Sequence, residues 1–427
     1  MKHNNRFSWF KLDNAAKIYP ASHSRHWSNM YRLSVNLHEE VDLKTLEQAI
    51  KNTIPRFPSI AARLSEGLFW YYLRPIEEAP AIMSEFSYPL AYMSKKEMKT
   101  CAFRVIVYRK RIAVEIFHAL TDGTGGLIFL KSLVAEYLEL KHGIEIPCEN
   151  GVFSRKEKPK NYEIQDSFVK NAAPIKETRK DTDAWRIDGT PEEDGFINIT
   201  NFQMDTQVIR NMARENKVSI NTFLVALMMK SILKLQLDLI HDPKKYKPVK
   251  VLIPINLRPL FDSKTLRNFA LYTIPEIDPR LGEYSLDEII NVVHHKVGTY
   301  ATKKNMAKMI ETNVADERKM FLRIVPLFLK NIVMKMVFNS VGEKKSCLSF
   351  SNLGEVKFPE NMAEYIERFD FILGPQAQAP YNCSAYSYKG TLNVTFSRDI
   401  KEARLENYFF RELQELGVDV TVQSNQR

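Results

Sequence analysis

A histidine, an aspartate and a glycine stand at fixed spacing where a strand is predicted to end. His118, Asp122 and Gly123 follow the alternating segment Arg111–Phe117, and a helical pattern begins just beyond them. A histidine at a strand end can act as a general base near neutral pH, because its ordinary pKa is about 6.5. Asp122 could either hydrogen-bond the imidazole or anchor the turn, and Gly123 would allow a backbone conformation closed to other residues. The segment predicts proton-transfer chemistry, with a partly buried structural histidine as the alternative.

The other clusters of reactive residues favour neither a phosphate site nor a metal site. The glycine-rich run 122–126 lacks the Gly-Lys-Ser/Thr ending of a phosphate-binding loop. His294 and His295 lie in a helical pattern without a glutamate at metalloprotease spacing. The four cysteines are far apart and form no Cys-x-x-Cys pair. We therefore expect no metal site, and free cysteines in a reducing compartment.

Alternating and helical patterns predict the elements that would position the motif. Met30–Leu37 alternates as a strand does, and Asp42 stands where the N-cap of the next helix belongs. The segments Phe103–Val107 and Ile112–Ile116 alternate on either side of a short polar run, which predicts a hairpin. The helix that follows the motif should end near Gly143.

A charged, proline-punctuated stretch separates this half of the chain from a second set of strands and helices. We interpret 1–165 as an N-terminal lobe that carries the motif, 166–195 as a crossover and 196–427 as a C-terminal lobe. The elements predicted for the second half are the strands Phe196–Met204, Val249–Ile255, Ser346–Phe350 and Leu392–Phe396, the helices Gln207–Asn216, Leu286–Ala301, Asp316–Phe338 and Leu405–Leu416, and a long apolar helix from Asn221. Both halves mix the two element types, so the predicted class is α/β or α+β with two lobes.

Charge and composition narrow the possible partners only in part. The 61 Lys and Arg against 51 Asp and Glu give a net charge of +10, which attracts anions without choosing among them. We expect no nucleic-acid partner, since no zinc-finger spacing or compact basic helix is present. The most apolar stretches are interrupted by Lys or Arg, and the first residues contain no long apolar run. We therefore expect no transmembrane segment and a cytoplasmic location.

The segment HALTDG, residues 118–123, resembles the HxxxDG motif of the chloramphenicol-acetyltransferase-like superfamily. That group includes peptide-synthetase condensation domains, plant HxxxD acyltransferases and alcohol acetyltransferases. The resemblance covers nearly the whole chain. The segment VLIPINLRPL resembles the strand whose arginine, here Arg258, faces the motif aspartate, and RNFALYTIPEI, with Asn268, resembles the segment that follows. DFILGP places Asp370 and Gly374 where the plant enzymes carry a DFGWG motif.

This resemblance implies two α/β lobes with a tunnel between them, bridged by a crossover and a strand exchange. It implies acyl transfer from a thioester, most simply acyl-coenzyme A, to a small-molecule alcohol or amine. His118 would be the general base, with no acyl-enzyme intermediate and no tightly bound cofactor. Asp122 would hold the motif through an ion pair with Arg258. Asn268, Asp370 and Gly374 are expected to contact substrate.

Two other functions stay open at this point. One is a condensation-type enzyme that takes its acyl group from an acyl carrier protein. Phe117 stands where condensation domains usually carry a first histidine, which argues against peptide-bond formation. The other is a non-catalytic binding module that has kept the fold, against which the intact motif counts.

The Met- and Phe-rich segment Met320–Phe338 is a candidate wall for the acyl pocket. Its apolar residues recur at helical spacing, among them Phe321, Ile324 and Phe328, while Arg and Lys residues interrupt them. Flexible Met and large Phe side chains suit a pocket that accepts several apolar chains, so Phe328 is expected to bind substrate. Plain core packing and contact with a membrane surface are the alternatives.

Overall fold

The structure, a computed structural model, describes residues 8–24, 29–86, 88–172, 182–318, 325–341, 343–376 and 379–426. The strands of this part, β1 to β16, are Phe10–Lys11, Met30–Leu37, Ala62–Glu66, Tyr71–Pro75, Ile82–Ser84, Phe103–Tyr108, Arg111–Phe117, Asn198–Asp205, Val249–Asn256, Ala270–Thr273, Glu276–Ile277, Leu348–Glu355, Ile366–Leu373, Tyr381–Tyr388, Thr391–Arg398 and Thr421–Ser424. The helices of the same part, α1 to α14, are Ile18–Ser22, Leu43–Thr53, Lys95–Met98, Gly123–His142, Asn161–Ile164, Ser167–Lys170, Thr206–Glu215, Ile220–Leu239, Arg258–Phe261, Leu286–Tyr300, Lys303–Arg318, Leu327–Val341, Glu360–Ala363 and Arg404–Glu415.

The first sheet carries the strand that leads into the motif. Its strand order is β13-β2-β7-β6-β5, and β2, β7 and β6 are antiparallel neighbours. The hairpin of β6 and β7 turns at Arg109, whose φ of 51° is in the left-handed region. The predicted first strand and the predicted hairpin are confirmed. The edge strand β13 comes from the second half of the chain, so a strand exchange joins the two halves.

Helix α4 begins at the motif and packs with α2 over this sheet. Asp122 is its N-cap and accepts a hydrogen bond from the backbone N of Gly125 at 3.2 Å. The helix ends at Gly143, which has a φ of 65°, as predicted. Asp42 caps α2 by accepting a hydrogen bond from the backbone N of Thr45 at 2.7 Å. The motif is therefore fixed between the end of a central strand and the start of a buried helix.

The second sheet forms the core of the other half. Its order is β10-β9-β12-β14-β15-β8-β16, with β11 also paired to β9. The apolar helix α8 packs against β9, α10 and α14. By length and composition α8 could cross a membrane, but 72% of its apolar window is buried in the protein, as in a core helix. The mixed α/β class predicted from the sequence is confirmed.

The described residues interrupt the long helix that was predicted for this segment. The prediction Asp316–Phe338 is wrong, because Val325 and Pro326 are not helical and α12 begins at Leu327. The carbonyl oxygen of Pro326 accepts from the backbone N of Lys330 at 3.1 Å, so the proline starts a new helix. The apolar spacing continues across this break, which is why periodicity alone missed it. Of that segment, 319–324, with Phe321 and Ile324, lie outside the described residues.

Candidate active site

A cavity of about 990 Å³ is lined by residues from both sheets. His118 and Asp122 line it from the first half of the chain, and Arg258 and Ser351 line it from the second. Small-molecule sites in proteins usually have volumes of about 300 to 1,000 Å³, so the cavity is large enough for two substrates of modest size. The motif singled out from the sequence therefore lies at the wall of a large cavity that both halves of the chain line.

The imidazole of His118 is fixed at the end of β7. Its Nδ1 atom lies 3.1 Å from Oδ1 of Asn268. The ring centroids of Tyr19 and Tyr31 are 4.9 Å and 5.2 Å from the imidazole centroid. In the described part of the chain Nε2 has no hydrogen-bond partner. The ring is therefore held in one orientation, with one nitrogen bound and the other free.

Asn268 decides which nitrogen of His118 carries the proton. The amide Nδ2 of Asn268 donates to the carbonyl oxygen of His118 at 3.0 Å and to Oδ2 of Asp13 at 3.3 Å. Its Oδ1 is thereby turned toward Nδ1 of the imidazole. Because an amide oxygen can only accept, Nδ1 must be the donor and carry the hydrogen. Nε2 is then the unprotonated nitrogen, as a general base requires.

Burial keeps this imidazole neutral. Burial lowers the pKa of His118 below its ordinary value of 6.5, although its own backbone carbonyl, the charge of Asp122 and Asn268 act in the opposite direction. Asp13, behind Asn268, is only 1% exposed, and burial raises its pKa to about 6 although Arg267 lies nearby. His118 is thus in its basic form at neutral pH.

The carboxylate of Asp122 hydrogen-bonds to the turn and to Arg258, and not to the imidazole. Its Oδ2 accepts from Nη1 of Arg258 at 2.9 Å and from the backbone N of Phe269 at 3.0 Å. Its Oδ1 accepts from Nη2 of Arg258 at 3.0 Å and from the backbone N of Gly125 at 3.2 Å. Burial alone would raise the pKa of Asp122, but Arg258 and the two backbone amides outweigh it and lower the pKa. The predicted ion pair is present, and the anchoring role is the one that the geometry supports.

Arg258 also joins the motif to the 262–269 loop of the second half. Its Nη2 atom donates to the carbonyl oxygen of Arg267 at 2.7 Å. From the motif side, the hydroxyl of Thr121 donates to the carbonyl oxygen of Leu266 at 2.5 Å. Because the motif and this loop belong to different halves of the chain, the site is assembled only when the two halves pack together.

Gly123 has no special backbone conformation, so that expectation is wrong. Asp122 is in an extended conformation and leads directly into α4, so Gly123 has no left-handed φ. A Cβ at Gly123 would lie 3.1 Å from Cδ2 of Leu353, which also lines the cavity. The missing side chain therefore leaves space at the cavity wall.

The following two glycines are required more strictly. A Cβ at Gly125 would overlap the carbonyl oxygen of Leu266. A Cβ at Gly126 would overlap the hydroxyl of Tyr31, which donates to the backbone of the motif. The glycine-rich run thus serves close packing of the motif, consistent with the tight strand-to-helix turn that its sequence indicates.

Of the residues expected to contact substrate, Gly374 lies at the cavity and Asp370 does not. Gly374 lines the cavity, and its backbone N donates to the carbonyl oxygen of Met30 at 3.2 Å. The carboxylate of Asp370 accepts from Nε of Arg368 at 2.6 Å and from Nδ2 of Asn36 at 3.2 Å. Alternate residues of a strand point to opposite faces of the sheet. Asp370 and Arg368 are two residues apart on β13, so they share one face and form the ion pair there. Its position supports a structural role.

Phe328 and Asn268 also differ from the expectation of substrate contact. Phe328 is 65% exposed on α12 and is not among the residues that line the cavity, because this face of the helix points away from the protein. Asn268 contacts His118 instead of lining the cavity. Asn268 is therefore a positioning residue in this structure.

The sequence analysis did not predict three residues that lie around His118 in the structure. Asp13 lies 255 positions before Asn268, so no spacing rule could have joined them. Tyr31 is the second residue of β2 and is paired with Ile116 of β7, so the predicted strand pairing could have placed it beside the motif. Tyr19, on the short helix α1, gave no signal.

Solved structures match this chain over nearly its whole length, although no protein-family model and no curated protein matches it. TRI3 trichothecene 15-O-acetyltransferase from Fusarium sporotrichioides is 9% identical, with a TM-score of 0.61 and 96% of each chain covered. TRI101 from F. graminearum, complexed with coenzyme A and deoxynivalenol, is 12% identical, with a TM-score of 0.61 over 97% of this chain and 99% of that one. The first condensation domain of the CDA synthetase is 11% identical, with a TM-score of 0.58 over the same shares.

The chain has a chloramphenicol-acetyltransferase-like fold. In this fold, as the structure shows it, the cavity lies where residues of both sheets meet, and the motif stands at its wall. Among the described residues, no group of three His, Cys, Asp or Glu side chains could hold a metal ion.

Replacing Asn268 by alanine should show whether Asn268 orients the imidazole of His118 or binds substrate. We expect kcat to fall by about tenfold or more, because Nδ1 loses its acceptor and the ring can turn. Asn268 raises the pKa of His118, so its removal should also shift the acid limb of the pH–rate profile to lower pH. KM should change little, since Asn268 does not line the cavity. A purely structural role would lower stability and leave the pH profile unmoved.

Proposed function

We propose that this protein is an acyltransferase that moves an acyl group from acyl-coenzyme A to the hydroxyl or amine of a small molecule. The observation that carries the proposal is the state of His118, a neutral imidazole with Nδ1–H bound to Asn268 and Nε2 free, at the wall of the cavity. The fold adds support, since one similar structure is named an acetyltransferase and another is complexed with coenzyme A.

In the proposed reaction His118 handles a single proton. Nε2 takes the proton of the acceptor as its oxygen or nitrogen attacks the thioester carbonyl carbon. The tetrahedral intermediate collapses, the carbon–sulfur bond breaks, and the thiolate of coenzyme A takes the proton from the imidazolium. While the ring is charged, Nδ1–H remains bonded to Oδ1 of Asn268 and the negative charge of Asp122 stabilises it.

Direct transfer fits the surroundings of this histidine better than an acyl-enzyme. A covalent mechanism needs a nucleophile within hydrogen-bond reach of its base. In the described part of the chain, no Ser, Thr or Cys side chain hydrogen-bonds to His118. Ser349 and Ser351 line the cavity, but neither hydrogen-bonds to the imidazole.

The charged residues that line the cavity indicate which part of acyl-coenzyme A would enter it. Among the described lining residues the one Lys or Arg is Arg258, and it is already bound to Asp122. Uncharged parts of a donor, the pantetheine arm and the thioester, fit such a lining. The phosphates of coenzyme A would then remain outside, where the net charge of +10 favours anions.

Turnover with a panel of donors and acceptors tests the proposal. The protein would be given acyl-coenzyme A of increasing chain length with an alcohol or an amine, and release of the free thiol would be followed. We expect acceptor-dependent release that the His118→Ala variant lacks. Parallel reactions with an acyl carrier protein as the donor identify a condensation-type enzyme. A stable acyl adduct on the protein, detected by intact mass, would contradict direct transfer.

The lowered pKa of His118 makes a prediction about pH. The neutral form is active, so kcat/KM should be constant near pH 7 and fall as the pH drops through a pKa below 6.5. Asp13, with a pKa of about 6, titrates in the same region. The isosteric variant Asp13→Asn should keep the acid limb, because the limb belongs to His118. An acid limb that disappears in Asp13→Asn would assign it to Asp13.

A further inference from the structure

Helix α12 presents a stripe of large apolar side chains to the outside of the protein. Phe328, Ile332 and Met336 are 65%, 54% and 58% exposed, and Leu329 and Val333 are 43% and 54% exposed. Spacings of three and four residues place all five on one side of the helix. Single exposed apolar residues are normal on protein surfaces, but a continuous stripe of this kind indicates a binding surface.

Two polar residues of α12, Lys330 and Asn331, face the protein instead. Nζ of Lys330 donates to the carbonyl oxygen of Phe69 at 2.9 Å and lies 3.4 Å from the ring centroid of Trp70. Nδ2 of Asn331 donates to the hydroxyl of Tyr71 at 2.9 Å. Water-exposed helices usually have the opposite arrangement, with polar residues outward. The outer side of α12 thus exposes five apolar side chains, which is unusual for a helix in contact with water.

The hairpin tip between β3 and β4 extends this surface. Leu68 is 72% exposed and Phe69 is 37% exposed, and the carbonyl oxygen of Leu68 accepts from the backbone N of Leu327 at 2.9 Å. We call these two residues and the five outer residues of α12 the apolar patch. Two neighbouring segments of the chain thus expose apolar side chains at this end of the molecule.

The charges around the apolar patch point to an anionic partner. Helix α12 contains no acidic residue, and its Lys335 is exposed, whereas Lys330 is buried against Trp70. Lys17 lies over the ring of Trp70 at the same end of the molecule, 5.4 Å from its centroid. Large apolar side chains flanked by lysines are the pattern of helices that lie in the interface of an anionic bilayer.

The apolar patch also lies close to the cavity. Helix α12 packs against α1, and Ile18 and Tyr19 of α1 line the cavity. In the described part of the chain, the short helix α1 thus lies between α12 and the cavity wall beside His118.

We propose that the apolar patch docks this protein on an anionic lipid bilayer. Helix α12 and the hairpin tip lie in the headgroup region, with the outer side chains of α12 in the acyl layer and Lys335 near the lipid phosphates. This goes beyond the proposed acyl transfer and does not depend on it.

Vesicle sedimentation tests the docking directly. The full chain would be mixed with vesicles of phosphatidylcholine alone and of phosphatidylcholine with phosphatidylserine. We expect binding to the mixed vesicles. The Phe328→Ser/Ile332→Ser variant should bind about tenfold or more weakly, because it removes two large apolar groups from the patch. Lys335→Gln should weaken binding about fivefold on the anionic vesicles alone.

A matched control uses exposed apolar residues elsewhere. Leu281 is 80% exposed and Leu140 is 43% exposed, and neither belongs to the apolar patch. The Leu281→Ser/Leu140→Ser variant should bind vesicles as the wild type does.

No binding of the wild type, or equal loss of binding in both double variants, would overturn the proposal. A dimer seen by light scattering that Phe328→Ser/Ile332→Ser dissociates, with no vesicle binding, would assign the patch to a second copy and overturn it as well. Because sedimentation needs no turnover, failure of the acyltransferase proposal would not affect these results.

Discussion

Replacing His118 by alanine is expected to lower acyl transfer by about 10²-fold or more, the usual scale for loss of a general base. The effect should fall on kcat, because Nε2 acts on the proton of the acceptor and binding of the donor does not need it. The measurement is kcat and KM with the best donor and acceptor, together with thermal unfolding to show that the fold is kept.

A second buried histidine provides the control. His23 is 9% exposed, its ring stacks with that of Tyr92, and it does not line the cavity. His23→Ala should lose stability through lost packing while keeping most of the turnover of the folded fraction. Turnover near the wild-type rate in a well-folded His118→Ala protein would exclude His118 as the base.

Removing either partner of the Asp122–Arg258 pair is expected to destabilise the protein by about 3–5 kcal/mol. The side chains of Arg258 and Asp122 are only 11% and 10% exposed, so solvent screens the pair weakly and the remaining charge is left without its partner. Asp122→Ala also leaves the backbone N of Phe269 and of Gly125 without their acceptor. The double variant should cost much less than the sum of the two single variants, since no charge is then stranded.

Chemical unfolding of the wild type, both single variants and the double variant measures this coupling. The dependence of folding stability on pH gives a second test, because the ion pair predicts the direction in which stability changes. The pKa of Asp122 is lowered in the folded protein, so its contribution is complete above the unfolded value of about 3.9 and is lost as the pH falls below it. Asp122→Ala should lack this part of the acid-induced loss of stability. Additive single effects would show that the two side chains do not act as a pair.

The local elements of the site could be predicted from the sequence because they depend on neighbours in the chain. The alternation of Arg111–Phe117 is complete within one strand, and the apolar spacing after Gly123 is complete within one helix. The capping role of Asp122 needs only the next three residues. The ion pair with Arg258 followed from the resemblance to a known superfamily and not from spacing, since 136 positions separate the two residues.

The assignment of Phe328 to the acyl pocket failed because the same sequence pattern fits two different packing arrangements. Apolar residues at helical spacing describe a helix that packs inward and a helix that presents the same stripe outward. For α12 the deciding contacts are those of Lys330 and Asn331 with the β3–β4 hairpin, more than 250 residues away in the chain. These contacts turn Phe328 outward and remove it from the cavity, which no periodicity could show.

The sequence by itself determined the motif, the strand and helix that flank it, the two-lobed mixed class and the basic net charge. Only the tertiary structure decided which atoms surround the imidazole. Asp13, Asn268 and His118 come from three distant segments, and their hydrogen bonds exist only after the two halves have packed. Periodicity reports which side of an element is apolar, whereas the protonation state of His118 depends on burial and on single hydrogen bonds that packing creates.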